Sequence, residues 1–179
     1  IEAAVHADPA LAAIAGQLAI DITPRGLRVQ LLDSRRSAMF PAGSAMPNAL
    51  ARRALGLIAP ILGKLAGPVR IAGFTDATGG GAGGANWALS AARANAARLV
   101  LARAGLADQR VIAVSGHGSH DLLLPADPAA PANRRISILV LRRPEGAVGS
   151  RPEGAAGSRP GGVAGSRPGG AAPPAPAAR

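Results

Sequence analysis

An eight-residue repeat divides this chain into a part that can bury a core and a part that cannot. From Arg143 the sequence repeats Arg-Pro-Glu-Gly-Ala-Val-Gly-Ser with small changes, and a degenerate fourth copy runs into Pro173-Pro174. Each unit lacks an apolar face, Pro removes a backbone donor and Gly raises the entropy cost of ordering, so residues 143–179 are predicted to be disordered. A solenoid is excluded, because solenoid repeats are longer and stack apolar faces. The folded domain is therefore expected before residue 143.

Composition limits both the core and the partners. Apolar residues make up 48% of the 179 residues, which is enough for one domain, but two Phe, one Trp and no Tyr leave Ala, Leu, Ile and Val to build the core. The absence of Cys excludes disulfides and thiolate metal sites. A formal charge of +10 favours an anionic partner such as a cell-wall polymer, nucleic acid or a lipid surface. Charge alone does not choose among these.

The start of the chain has no pattern typical of a membrane span. Residues 1–18 include Glu2, His6 and Asp8, which interrupt the apolar run of about 20 residues that a spanning helix needs. Residues 1–16 are predicted to be a linker.

The apolar pattern of residues 17–142 predicts an α+β sandwich. Strand-like alternation flanks the turn Pro24-Arg25-Gly26, where Gly can adopt a positive φ. Asn48 is expected to cap a helix that Pro60 kinks, and Gly105 to end a second helix whose buried face carries Leu89, Ala92, Ala96 and Leu99 or Val100. The predicted strands are 18–23, 27–32, 69–72, 111–114 and 136–141, and the predicted helices are 48–64 and 86–104.

Polar groups suited to ligand binding surround a glycine-rich turn. Gly73-Phe74-Thr75-Asp76 follows the third strand, residues 86–95 open the second helix with Arg93 in an early turn, and Asn133-Arg134-Arg135 precedes the last strand. An acid beside a guanidinium can hold both ends of an amino acid zwitterion, because the carboxylate takes the ammonium and the planar Arg takes the carboxylate. The same two residues could instead form an internal salt bridge, or Asp76 could organise a turn. The residues alone leave these alternatives open.

These blocks resemble the OmpA-like peptidoglycan-binding family, whose pattern runs G-H-T-D, then N-x-x-L-S-x-x-R-A, then N-R-R. Residues 26–30 with Asp33, residues 39–45 and Asn86-Trp87 resemble the flagellar stator anchors within that family. The similarity covers about residues 17–142. It implies an OmpA-like β/α/β/α/β two-layer sandwich, in which a mixed sheet carries the helices on one face.

The resemblance also implies a function, that of a non-enzymatic anchor that recognises the diaminopimelate of the peptidoglycan stem peptide. Asp76 would take its ammonium and Arg93 its carboxylate, and both are expected to be accessible to solvent. The implied setting is a homodimer in the periplasm, tethered to the inner membrane by an upstream helix that meets the stator partner, with no nucleic acid, cofactor or metal. A cell-wall tether of another envelope or secretion system is the alternative. The further contact positions are Asn86, Arg134, Thr75 and Arg135.

One departure from the family and two weaker motifs complete the prediction. Phe74 stands where the family usually has His, which removes a possible polar contact but keeps a ring. Gly79, Gly81 and Gly84 satisfy G-x-G-x-x-G, but they do not follow the strand directly as a dinucleotide motif does. The loop holding His117, His120 and Asp121 lacks a third well-placed metal ligand, and the sequence has no paired-carboxylate pattern for glycan cleavage. Binding is favoured over catalysis.

Overall fold

The structure is a computed structural model that describes Pro9 and residues 15–78 and 84–142. Nearly all of the predicted linker and the whole predicted repeat tail, 143–179, lie outside the described residues, so both stay predictions. Among the described residues, no helix is long and apolar enough to cross a membrane.

Five strands form one mixed sheet, and the predicted fold class is confirmed. The strands are β1 (Leu18–Thr23), β2 (Gly26–Leu32), β3 (Val69–Phe74), β4 (Val111–Gly116) and β5 (Arg135–Leu141), and the helices are α1 (Ala49–Lys64) and α2 (Gly84–Arg103). The sheet order is β1-β2-β5-β3-β4, with β3 and β4 parallel and every other neighbouring pair antiparallel. The β1–β2 turn contains Gly26 at φ +142°, as the sequence predicts.

One face of the sheet packs against both helices. Alternate residues of the central strands, such as Val29, Ile71 and Ile138, join the buried residues of α1 and α2 in a single apolar cluster. Two larger side chains from the loop after β2, Met39 and Phe40, add to the expected Ala, Leu, Ile and Val. The loop that carries them is thereby held against the core.

The first helix has the cap and the face that the sequence predicts. Asn48 Oδ1 accepts a hydrogen bond from the Ala51 amide at 2.7 Å, which satisfies one of the free amides of the first turn. Leu55, Ile58 and Leu62 follow at helical spacing and are fully buried. Pro60 lies at an exposed position, and the helix continues past it to Lys64.

The buried face predicted for α2 is wrong by about one residue. The buried residues are Ser90, Arg93, Ala94, Ala97 and Leu101, whereas Leu99 is 39% exposed. Close contact with the sheet decides this face, because a Cβ on Gly73 would lie 2.1 Å from the Ser90 carbonyl oxygen and one on Gly116 would lie 2.4 Å from the Ala91 amide nitrogen. Small side chains along the helix permit that approach. The close packing turns Arg93 inward.

Candidate functional site

Topology brings two acids and one arginine together at one end of the sheet. Asp33 directly follows β2, Asp76 comes two residues after β3, and Arg134 directly precedes β5. Since β5 lies between β2 and β3 and runs antiparallel to both, its first residues lie beside the last residues of its neighbours. Arg134 is therefore placed between Asp33 and Asp76.

The Arg134 guanidinium bridges the two carboxylates. Its Nε donates to Asp33 Oδ2 at 2.8 Å, and its Nη1 donates to Asp76 Oδ2 at 2.5 Å. Burial works against the charge of Arg134, but the hydrogen bonds and charges of the two acids outweigh burial and raise its pKa. The bridge ties together the ends of three strands.

Each acid uses its second oxygen to hold a loop. Asp76 Oδ1 accepts from the Thr78 hydroxyl at 2.5 Å and from the Thr78 amide at 3.2 Å, so Asp76 also organises the turn after β3. Asp33 Oδ1 accepts from the Met39 amide at 2.5 Å. Asp33 and Asp76 are 4% and 6% exposed, so both are buried polar residues with their hydrogen bonds made.

Arg93 holds the loop that faces these acids. Its Nε donates to the Ser44 carbonyl at 2.9 Å, its Nη2 donates to the Pro41 carbonyl at 3.4 Å, and its guanidinium lies 5.0 Å from the centre of the Phe40 ring. Burial lowers the pKa of Arg93, while the nearby acids, Asp33 first, oppose that shift.

One alternative for Asp76 and Arg93 is excluded, and one expectation about them is wrong. An internal salt bridge between them is not formed, because Asp76 pairs with Arg134 while Arg93 donates to backbone carbonyls. Neither residue is freely accessible, since Asp76 is 6% exposed and Arg93 is 3% exposed. The loop of residues 38–44 and the turn after β3 cover them.

A cavity of about 420 Å³ lies between that loop, the turn and the start of α2. Five of the predicted site residues line it: Asp76, Arg93, Asn86, Arg134 and Thr75. The Thr75 hydroxyl is buried and has no hydrogen-bond partner among the described residues. The remaining lining residues are Ala38, Phe40, Ala42, Gly43, Thr78 and Leu89.

Arg135 is not among the residues that line the cavity. Its guanidinium carbon lies 3.7 Å from the centre of the Phe74 ring, and its Nη2 donates to the Asp121 carbonyl at 2.8 Å. Burial lowers the pKa of Arg135, with Asp121 opposing the shift and Arg28 adding to it. The His117 ring also stacks on the Phe74 ring, with 4.7 Å between the ring centres. Phe74, which stands where the family usually has His, is therefore fixed by the His117 ring and the Arg135 guanidinium. A binding role for Arg135 stays a prediction.

The remaining polar loop has a structural explanation. Asn133 is fully buried and bonds to the Leu124 amide and the Asp127 carbonyl, which holds the loop before β5. His117 Nε2 lies 3.1 Å from Ser115 Oγ, and the His120 ring packs on Trp87. Within the described residues no three His, Cys, Asp or Glu side chains are grouped as a metal site would require.

Three residues at the site were not predicted to act there. Asp33, Thr78 and Phe40 hold Arg134, Asp76 and Arg93 respectively. The role of Asp33 could have been predicted from the sequence, because an acid that directly follows a strand lies at the end of the sheet where Asp76 also lies. Thr78 and Phe40 carried no comparable signal.

Known proteins share the sequence pattern and the fold of this chain. The OmpA family pattern matches residues 39–135, which is more than half of the chain. Motility protein B of Escherichia coli K12 is 39% identical over 142 residues, covering 78% of this chain and 46% of that protein. The chain therefore spans about half the length of this relative.

Solved structures show the same fold. The periplasmic domain of Helicobacter pylori MotB has a TM-score of 0.59 at 24% identity, covering 69% of this chain and 78% of that one. The cell wall anchor of the T6SS from Pseudomonas aeruginosa has a TM-score of 0.59 at 24% identity, covering 78% of this chain and 97% of that one. At this identity the likeness concerns the fold alone.

Proposed function

This chain belongs to the OmpA family, and on that premise we propose that it anchors noncovalently to peptidoglycan as the periplasmic part of a flagellar motor stator. The recognised group is the diaminopimelate of the stem peptide. The observation that carries the proposal is the cavity lined by Asp76, Asn86, Arg93 and Arg134.

The charges around the cavity suit a zwitterion. The negative charges of Asp33 and Asp76 balance the positive charges of Arg93 and Arg134. The site therefore presents both positive and negative groups at short range, with no net charge. The free end of diaminopimelate carries one ammonium and one carboxylate. The ammonium would share Asp76 with Arg134, and the carboxylate would meet the guanidinium groups of Arg93 and Arg134. Asn86 and the Thr75 hydroxyl would supply neutral hydrogen bonds.

The existing hydrogen bonds make the site preorganised. Asp76 is held by Thr78 and Arg134, and Arg93 is held by two carbonyls and the Phe40 ring, so little side-chain freedom remains to be lost on binding. Burial strengthens the charge interactions that a ligand would make. This is the arrangement expected of a static anchor.

Hydrolysis of the glycan is not proposed. Two carboxylates do lie near each other, but the Arg134 guanidinium occupies the space between Asp33 and Asp76. A glycosidase needs that space for the scissile bond and, in inverting enzymes, for a water.

The cellular setting follows from the relatives and is part of the proposal. Similarity to Motility protein B supports a role in motility. We propose with it a periplasmic setting, a second copy of the chain, and the stator partner MotA reached through an upstream segment in the inner membrane. The likeness in fold to a T6SS cell wall anchor supports the second candidate, a wall tether of another envelope system.

A pull-down with purified insoluble peptidoglycan tests the anchor. The full chain is compared with Asp76→Asn, which keeps the shape of the buried side chain, and with Asp21→Asn, which removes the same charge from an exposed ion pair with Arg28. We expect Asp76→Asn to lose at least tenfold in retention at moderate salt, and Asp21→Asn to match the wild type. Circular dichroism and thermal unfolding confirm that each variant is folded.

Equal retention of both variants, washed off together by salt, would show that the net charge of +10 binds the wall and that the cavity does not.

A further inference from the structure

The end of the sheet opposite the cavity carries several exposed arginines. The β1–β2 turn, the start of β3 and the end of β5 all lie there, since β2 pairs Gly26 with Leu141 and β3 pairs Val69 with Val140. Arg25, Arg70 and Arg142 are exposed at this end, and none of them is paired with an acid within the part of the chain that the structure describes. We call Ile22 and these three arginines the basic end.

The strand register keeps the cations close together. Arg28 and Arg70 both lie opposite Leu139, on the strands to either side of β5, so about two strand spacings of about 4.8 Å separate them. The Arg142 amide donates to the Arg25 carbonyl at 2.9 Å, which brings these two arginines of the basic end together. Two acids of the described residues lie at this end: Asp21, which pairs with Arg28, and Asp108, just before β4, which pairs with Arg98.

An apolar side chain projects from the same end. Ile22 is 84% exposed, the most exposed of the large apolar residues, and it precedes the turn that holds Arg25. A soluble polyanion would neutralise the arginines and leave Ile22 in water. A phospholipid surface would neutralise the arginines and also remove Ile22 from water, because headgroup phosphates attract Arg and the interface accepts an apolar side chain.

We propose that the basic end contacts an anionic phospholipid surface. The occupant is a bilayer containing phosphatidylglycerol or a lipid of the same charge. This surface lies at the opposite end from the cavity, so a domain that holds peptidoglycan through the cavity would turn its basic end toward the membrane. The orientation rests on the proposed function, but the lipid contact does not.

Cosedimentation with vesicles tests this contact. The full chain is mixed with vesicles of phosphatidylcholine and phosphatidylglycerol in a 3:1 ratio, and in parallel with pure phosphatidylcholine vesicles. We expect Arg25→Gln with Arg70→Gln to weaken binding to the anionic vesicles about 20-fold, and Ile22→Ser to weaken it a few fold. Peptidoglycan pull-down should be unchanged in these variants, which separates this proposal from the anchor.

Matched controls exist at the cavity end of the sheet. Arg35→Gln with Arg36→Gln removes the same charge from exposed positions in the loop after β2, and Met46→Ser removes an exposed apolar side chain. Both should bind vesicles as the wild type does. The proposal is overturned if the two arginine pairs weaken binding equally, which would indicate a net-charge effect. It is overturned also if Ile22→Ser has no effect while a soluble polyanion such as heparin binds equally well, or if the chain ignores anionic vesicles.

Discussion

Arg134 links parts of the chain that are far apart in sequence. It lies 101 residues from Asp33 and 58 from Asp76, and it holds both carboxylates. Removing one partner of a buried ion pair costs more than the pair itself contributes, because the remaining charge is left without compensation. Arg134 is therefore as much a residue of the fold as of the site, and a loss of binding in an Arg134 variant needs a stability measurement beside it.

Phe74 gives a prediction about pH. Phe74→His would restore the ring that the family usually has and place an imidazole against the Arg135 guanidinium, now 3.7 Å from the ring centre. Burial and the adjacent cation disfavour the protonated imidazole, so its folded pKa should fall below the unfolded value of about 6.5. The unfolded state then binds more protons, and stability is lost as pH falls through that region. We expect the variant to lose about 1 kcal/mol or more, relative to wild type, between pH 8 and pH 5.

Urea unfolding at several pH values measures this loss. Phe74→Leu is the control, because it removes the ring and adds no titrating group. If Phe74→His and Phe74→Leu depend on pH alike, the imidazole is not held against Arg135 as the structure indicates.

At the scale of the elements, the helices and strands could be predicted but the buried face of α2 could not. In α1 the large apolar residues Leu55, Ile58 and Leu62 recur at helical spacing, so the buried face can be derived from spacing. Alanines surround α2 on every side, so spacing indicates no face, and contact with Gly73 and Gly116 decides the orientation. An arginine on the buried face, Arg93, runs against the polarity rule that the prediction used. Arg134, the partner of Asp76, was also missed, because their pairing depends on the order of the strands in the sheet.

Two glycine-to-alanine substitutions, expected to change the stability of the domain in opposite directions, test the contact between α2 and the sheet. Gly73→Ala should destabilise the domain by about 1 to 3 kcal/mol, because its Cβ would overlap the Ser90 carbonyl. Gly56→Ala, inside α1 with nothing within 4 Å of the added Cβ, should stabilise it by about 0.5 to 1 kcal/mol. Urea unfolding measures both. A Gly73→Ala variant as stable as the wild type would mean that α2 does not approach the sheet so closely.

For the molecule as a whole, the two ends of one sheet have different chemistry. Around the cavity two acids are grouped with two arginines, with Arg35 and Arg36 exposed in the loop after β2, and the opposite end carries exposed arginines beside Ile22. The sequence predicted most of the residues at the first end, because the family pattern marks them. The second end belongs to no motif, since its residues come from the β1–β2 turn, β3 and β5 and meet only through strand pairing.

Isothermal titration of the full chain with two soluble stem tripeptides tests the central claim most directly. One carries diaminopimelate at its third position, and the other carries lysine, which has the ammonium but lacks the second carboxylate. We predict that the lysine peptide binds at least tenfold more weakly, because it forgoes the charge-assisted hydrogen bonds to Arg93 and Arg134, and that Asp76→Asn weakens binding of both peptides. Equal affinity of the wild type for the two peptides would contradict recognition of the diaminopimelate zwitterion in this cavity.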